Sequence, residues 1–345
     1  MTERVVSELG ESGLIDRILA RIGAPPGGAV GGGDDTAVVS IGTESVLFTT
    51  DALVEGIDFD FSYCSGADVG WKAIAVNASD IASMCGAPLW ATVSMALPAD
   101  TPVATVDSII EGMLEAAEAW DIGVVGGDIS RASEMSLSVA MLGSPAIDAP
   151  VMRAGAKVGD ALCLTGSVGG AAAGLRLLQH QAVGGPRADD HPSGQTSSSG
   201  AAMAGLVARQ LRPVARVREA ALLARSGPSS MIDLSDGLAL DLSRVMRASA
   251  TGCEVDDSAI PLDPGLAALF GADREAALEL AMTGGEDFEL LFTIADASAS
   301  AAIAAVEQMG TACTRIGNIV DSGCTVGDRP LSEWEGLGWD HLQSR

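Results

Sequence analysis

Basic residues are scarce in this chain: 20 Lys and Arg stand against 46 Asp and Glu, a net charge of −26. Phosphate backbones and anionic bilayers are bound by Lys/Arg surfaces, so this balance argues against nucleic-acid and membrane partners. A polyphosphate remains open as a ligand, provided divalent cations supply the intervening positive charge. Histidine occurs only at positions 180, 191 and 341, never in H-E-x-x-H spacing, which argues against a histidine triad or a histidine zinc site. Cysteines 64, 85, 163, 253, 313 and 324 include no C-x-x-C pair. They read as small buried hydrophobes in a reducing compartment rather than as disulfides or zinc ligands.

Long apolar runs are missing as well. The chain is 48% hydrophobic, yet no stretch approaches the roughly 18 uninterrupted residues of a membrane span. Met1-Thr2-Glu3-Arg4 runs on to Glu8 and Glu11 with no basic segment followed by an apolar one, so a cytoplasmic protein is expected. There is no G-x-x-x-x-G-K-[ST] loop and no D-x-[DN]-x-[DN]-G calcium loop. A length of 345 residues is ample for two domains with buried cores.

What the chain has in quantity is glycine beside aspartate. Gly31-Gly32-Gly33-Asp34-Asp35-Thr36 places two adjacent carboxylates after three glycines that let the backbone pass close to a ligand. Alone, Gly-Asp-Asp is the composition of a surface turn. The pattern recurs, however. Asp51 ends the strand-like Val46-Leu47-Phe48-Thr49-Thr50, Asp128 follows Gly126-Gly127, Asp233 and Asp236 flank Ser235, and Glu286-Asp287 follow Gly284-Gly285. Neighbouring carboxylates repel unless a cation sits between them, so the recurrence points to an oxygen-ligand site for hard divalent ions.

Periodicity supplies the framework. A helix is predicted over 3–22, a strand pair over Val38-Val39 and Val46–Phe48, and a helix over 70–85 ended by Gly86 and Pro88. Asn77 and Asp80 share one side of that helix, where a carboxylate is either exposed or the wall of a cleft. A strand over Leu89–Leu97, a helix over Val106–Ala119, a strand over Ile122–Val125 with a tight Gly126-Gly127-Asp128 turn, and a strand over Ser136–Leu142 complete a first domain, 1–148. The second, 149–345, opens with a strand over Ala161–Leu164. Thr165-Gly166-Ser167-Val168-Gly169-Gly170 then leads into an Ala-rich helix and reads as close helix packing rather than a phosphate loop. Residues 183–202 are polar, low-complexity and expected to be a mobile surface insertion. Asp233-Leu234-Ser235-Asp236-Gly237 precedes a helix over Leu238–Ala248, and capping by Ser235 leaves the two aspartates unexplained. Trp334 and Trp339 stand out in a chain only 3% aromatic and are compatible with simple packing on the body.

Seven segments in order resemble the thiamine-monophosphate kinase family, within the aminoimidazole-ribonucleotide synthetase-like superfamily: Gly33-Asp34-Asp35, Thr49-Thr50-Asp51 through Gly56, Lys72 to Asp80, Gly126-Gly127-Asp128, Arg153-Ala154-Gly155-Ala156, Ile232 to Leu238, and Gly284 to Leu290. The resemblance implies an N-terminal α/β domain that dimerises through its sheet, a C-terminal α+β domain, and an active site in the cleft between them. It implies transfer of the ATP γ-phosphate to thiamine monophosphate with several Mg²⁺ ions. Asp35, Thr49, Thr50, Asp51, Asp80, Asp128, Asp233 and Asp236 resemble the family's metal ligands. Gly127, Asp128, Arg153 and Ser235 resemble its ATP contacts, and Glu286 and Trp339 its acceptor contacts. Asp128, Asp236 and Arg153 are the groups expected at the transferred phosphoryl. Two departures stand out. Asp58 occupies a position where the family usually has an acceptor-facing histidine, and an aromatic often present near Ile110 is missing. Such a reaction needs no general base, because the attacking phosphate oxygen is already deprotonated at neutral pH. A superfamily sibling such as a cyclo-ligase or maturation protein would share Asp35 and Asp80. A metal-dependent phosphohydrolase would use the same carboxylates without an acceptor.

Overall fold

The computed structural model describes residues 5–22, 29–147, 149–183 and 198–335. Its first half contains α1 (Gly10–Ile22), β1 (Ala37–Ile41), β2 (Glu44–Val54), α2 (Gly66–Ser83), β3 (Gly86–Leu97), α3 (Val103–Ala119), β4 (Gly123–Arg131) and β5 (Ser136–Pro145). These strands form one sheet in the order β1-β2-β5-β3-β4. The second half begins with β6 (Asp160–Thr165), α4 (Gly170–Ala182), α5 (Ser198–Leu211), α6 (Val217–Ser226), β7 (Ser230–Asp233), α7 (Leu238–Ser249) and β8 (Gly252–Val255). It continues through α8 (Leu266–Phe270), α9 (Arg274–Thr283), β9 (Leu290–Ala295), α10 (Asp296–Glu307) and β10 (Cys313–Val320), and closes with β11 (Cys324–Val326), β12 (Arg329–Pro330) and α11 (Ser332–Glu335). The second sheet runs β12-β11-β8-β10-β6-β9-β7. No helix among the described residues is long and apolar enough to cross a membrane.

Alternation along the first sheet divides its two faces. Leu47, Leu53, Val93, Leu137, Val139 and Met141 point inward and pack on α2 and α3. The helices approach backbone to backbone: a Cβ on Gly70 would lie 1.9 Å from the Ile109 carbonyl oxygen, and one on Gly112 1.9 Å from that of Ala67. The sequence places the start of α2 at residue 70. The helix starts a turn earlier because Ser65 and Asp68 form a reciprocal capping box.

The tight turn expected at Gly126-Gly127-Asp128 is instead the interior of β4, which continues to Arg131 beside β3. A register shift at Ala91/Thr92 absorbs one extra residue, and glycine is needed because a Cβ on Gly127 would meet the Val93 carbonyl oxygen at 1.8 Å. The short helix α6 and the extension of β5 to Pro145 were not anticipated either.

The two halves share a core. Ala82, at the end of α2, and Cys85, just beyond it, cluster with Val151, Met231, Leu290 and Phe292 of the second half. Trp71 Nε1 donates to the Pro213 carbonyl at 2.7 Å, and Arg212 bridges Asp68 and Glu115. The six thiols are free, four of them buried. Trp334 is buried against the second-half core. Trp339, most of the 183–202 segment and residue 148 lie outside the described residues.

Candidate active site

The helix α2 runs along the junction of the halves, and its polar side faces a group of carboxylates. Thr49 Oγ1 donates to Asp80 Oδ2 at 2.6 Å, and Ser79 Oγ donates to Asp233 Oδ2 at 2.5 Å. Ser83 Oγ donates to Asp35 Oδ2 at 2.8 Å, and Asp51 N donates to Asn77 Oδ1 at 3.1 Å. One helix thus gathers Asp35, Asp51 and Asp233 around its own Asp80. Burial, then repulsion from Asp51, Asp233 and Asp35, pushes the Asp80 carboxyl well above the usual range. Asp233 is raised in the same way, by burial first and then chiefly by Asp35.

Arg153 ion-pairs with Asp35, and its backbone N–H donates to Asp34 Oδ2 at 2.9 Å. Burial and the Asp35 charge raise Asp34 to about 6. The buried Nε–H of Arg153 has no partner among the described residues. That leaves a donor, on a guanidinium already anchored by Asp35, for an incoming anion.

The Asp-Leu-Ser-Asp-Gly and Gly-Gly-Glu-Asp segments meet as an extension of the β7–β9 ladder. Leu234 N donates to the Glu289 carbonyl, Glu286 N to that of Ser235, and Phe288 N to that of Leu234. Contact is close enough that a Cβ on Gly285 would lie 2.3 Å from the Ser235 carbonyl oxygen. Glu286 and Phe288 adopt left-handed backbone, at φ +68° and +49°. Such conformations cost on the order of 1–3 kcal/mol each and persist where surroundings over-determine them. Here the ladder holds them and aims Glu286 into the cleft. Ser235 does not cap α7, whose N-cap is Gly237; the Asp236 N–H instead donates to Asp241 Oδ2 at 3.1 Å. Asp236 and Asp241 share Arg244, each at 2.6 Å.

These elements enclose a cavity of about 480 Å³ whose walls include Asp51, Asp58, Asp80, Ser235, Asp236 and Glu286. Asp58 is half-buried, and its Oδ2 accepts from Val54 N at 2.8 Å. Buried Lys72 donates to the Asp58 carbonyl at 3.2 Å and ion-pairs with Glu286, whose other oxygen accepts from Gln210 at 2.5 Å. The roles of Lys72 and Gln210 were not legible in sequence, because α2 and α5 meet only in the folded chain.

Not every predicted site residue reaches the cleft. Ladder register sets Ala52, Ser138, Ser94 and Asp128 in one row on the outer face, with Thr50 one row away beside Ala140 and Thr92. Thr50 and Asp128 therefore stand opposite to Thr49 and Asp51. Gly127 lies in the Asp51 row but three strand spacings off, roughly 14 Å. The glycine turn before α4 offers no free anion site: Asp287 accepts from Gly169 N at 2.6 Å and Ala171 N at 3.1 Å.

Among the described residues no three or more Asp, Glu, His or Cys are drawn around a single point that would hold a metal. The donor set nevertheless fits a hard cation. It is all oxygen, and its members Asp80, half-buried, and Asp233, buried, have hydroxyls rather than cations as direct partners.

Residues 33–144 match the N-terminal domain of AIR synthase related proteins, and residues 157–328 match the C-terminal domain. The two-sheet fold is thus that of the AIR synthase related class. The thiamine-monophosphate kinase of Aquifex aeolicus (strain VF5) is 35% identical over 288 residues, 84% of this chain and 87% of that protein. The enzyme of the same name from Escherichia coli (strain K12) is 32% identical over 339 residues, 96% and 98%. The solved structure of AaThiL complexed with AMPPCP and TMP aligns with a TM-score of 0.84 at 31% identity, covering 99% of this chain and 100% of that one. The chain belongs to the thiamine-monophosphate kinase family.

Proposed function

We propose that this chain transfers the γ-phosphoryl group of ATP to the phosphate of thiamine monophosphate, giving thiamine diphosphate. The carrying observation is the carboxylate group at the junction of the halves, under-neutralised and opening onto a cavity large enough for a small acceptor. Asp35, Thr49, Asp51, Asp80, Asp233 and Asp236 would hold Mg²⁺. Mg²⁺ held there would supply charge neutralisation between two anionic phosphates. Arg153, fixed by Asp35, directs its unpaired N–H to a phosphate oxygen, and Ser235 contributes from the cleft wall. Glu286, fixed by Lys72 and Gln210, meets the cationic acceptor ring together with Asp58; Trp339 is the remaining acceptor contact in this reading. A general base is absent from the scheme, since the attacking oxygen carries no proton.

The active unit in this reading is a homodimer in the cytoplasm, with domains 1–148 and 149–345. Support for the dimer comes from the outer sheet face, where Phe48, Leu142 and Trp90 form one row, with Phe48 43% and Trp90 52% exposed. Contiguous apolar surface of this kind marks association sites. Thr50 and Asp128 then act from the interface side, with Gly127 and Asp128 on the nucleotide. Incubation with ATP, Mg²⁺ and thiamine monophosphate, followed by chromatography, tests the activity. Thiamine diphosphate is the expected product, and release of inorganic phosphate without it would instead make the protein a phosphohydrolase. Light scattering of an active monomer would remove the dimer.

A further inference from the structure

Charge in the cleft is unevenly distributed. Among the described residues six acids line it, Glu11, Asp51, Asp58, Asp80, Asp236 and Glu286, against one base, Arg176 of α4. The other described cations near these acids are already engaged: Arg153 by Asp35, Arg244 by Asp236 and Asp241, and Lys72 by Glu286. Arg176 is exposed, and no ion pair or hydrogen bond holds its guanidinium among the described residues.

Its position follows from helix geometry. Ala172, Leu175, Arg176 and Gln179 all line the cavity, and their spacing sets them on one face of α4. Ala172 marks the inner end of that face, for a Cβ on Gly284 would lie 2.4 Å from its own Cβ, two residues before Glu286. Arg176 sits one turn further out, so its long side chain spans the acceptor side of the cleft. The other charged side chains that a phosphomonoester meets on the described walls are carboxylates, including Asp58 where a neutral or cationic donor would serve an anion better.

We propose that Arg176 is the residue that recognises the phosphate of the acceptor and makes the cleft select a phosphorylated over an unphosphorylated thiazolium. This rests on the kinase reading above. Arg176 is planar, always charged and able to grip two phosphate oxygens, which suits it to an anion that must be drawn past six acids. Because it is exposed and unpaired, replacing it leaves the fold undisturbed.

The test compares wild type, Arg176→Gln and Arg176→Lys by steady-state kinetics and by calorimetric binding of thiamine monophosphate. Arg176→Gln is expected to raise KM and Kd for thiamine monophosphate roughly tenfold, the worth of one charge-assisted contact. KM for ATP, the melting temperature and the inhibition constant of unphosphorylated thiamine should stay at wild-type values, and Arg176→Lys should recover part of the loss. An unchanged acceptor KM in an active enzyme overturns the Arg176 assignment alone. A parallel rise in the ATP KM, or an equal loss of thiamine binding, also overturns it. A wild type that neither binds nor converts thiamine monophosphate overturns the assignment and the kinase reading together.

Discussion

Glu289 of the second half and Asp80 of α2 are both acids withdrawn from solvent, and their surroundings have opposite effects. Glu289 is fully buried, yet Arg216 and Arg209 both pair with it and Thr165 donates at 2.8 Å. Those partners outweigh desolvation, so its carboxyl stays below the usual range. Asp80 receives Thr49 and three neighbouring carboxylates, and is driven the other way. An acid supplied with its own arginines is finished as structure. An acid supplied with more acids keeps a repulsion that the fold does not relieve, and the proposed cation site falls there.

The largest effect that would break this comparison concerns Glu289. Glu289→Ala leaves the half-buried Arg209 and Arg216 with only Asp263 and Glu219 for counter-charge, and chemical denaturation should show a loss of about 3 kcal/mol. A variant as stable as wild type would mean the arginines are not held there by charge. Next comes Asp80→Asn. Turnover should fall by roughly a hundredfold or more, as for loss of one preorganised electrostatic group, while the metal-free melting temperature stays level or rises as repulsion is relieved. Turnover near wild type at limiting Mg²⁺ would remove Asp80 from the cation site.

Asp287 sharpens the comparison from between the two extremes. It is compensated by backbone N–H groups at the start of α4 and not by a direct arginine, and burial raises it to about 6. A raised carboxyl means the folded chain keeps a proton that the unfolded chain releases near 3.8. Its contribution to stability is full below that value and is lost as pH rises through about 6. Asp287→Asn should remove this component, flattening the decline between pH 4 and 6 by at most about 1.4 kcal/mol per pH unit. Urea midpoints across that interval would measure it, and an unchanged slope would assign the decline to other groups. The smallest effect is at Asp58, whose carboxylate already serves Val54 N. Asp58→Ala should cost about 1 kcal/mol of stability and raise the acceptor KM a few-fold, roughly the worth of one such contact, with no change for ATP. If neither KM moves, Asp58 is a loop brace only.

Much of the site was legible in the chain because its motifs are short and contiguous. Glycine beside Asp34-Asp35 and Asp236 marked loops able to bring carboxylates close to their neighbours, and the fold gathers Asp35, Asp51 and Asp233 along the helix that carries Asp80. What sequence could not separate is Glu286, Asp287 and Glu289. Three acids within four residues go to the cleft, to a helix N-terminus and to an arginine pair, and only tertiary partners decide which. Gly126-Gly127 misled for a related reason. Glycine reads as a turn, whereas here it makes room for the Val93 carbonyl inside a strand pair. Arg176 and Gln210 sit on helices with no local motif, so distance in sequence hid them.

The backbone pairing of the 233–236 and 286–290 segments has a kinetic consequence. Leu234, Glu286 and Phe288 amides are bonded across that joint and continue β7–β9. Opening one side frees the other, so in deuterium exchange these amides should be released together, with a single opening rate. The nucleotide side and the acceptor side of the cleft would then share one hinge. Either substrate, by slowing that opening, would lengthen the residence of its companion.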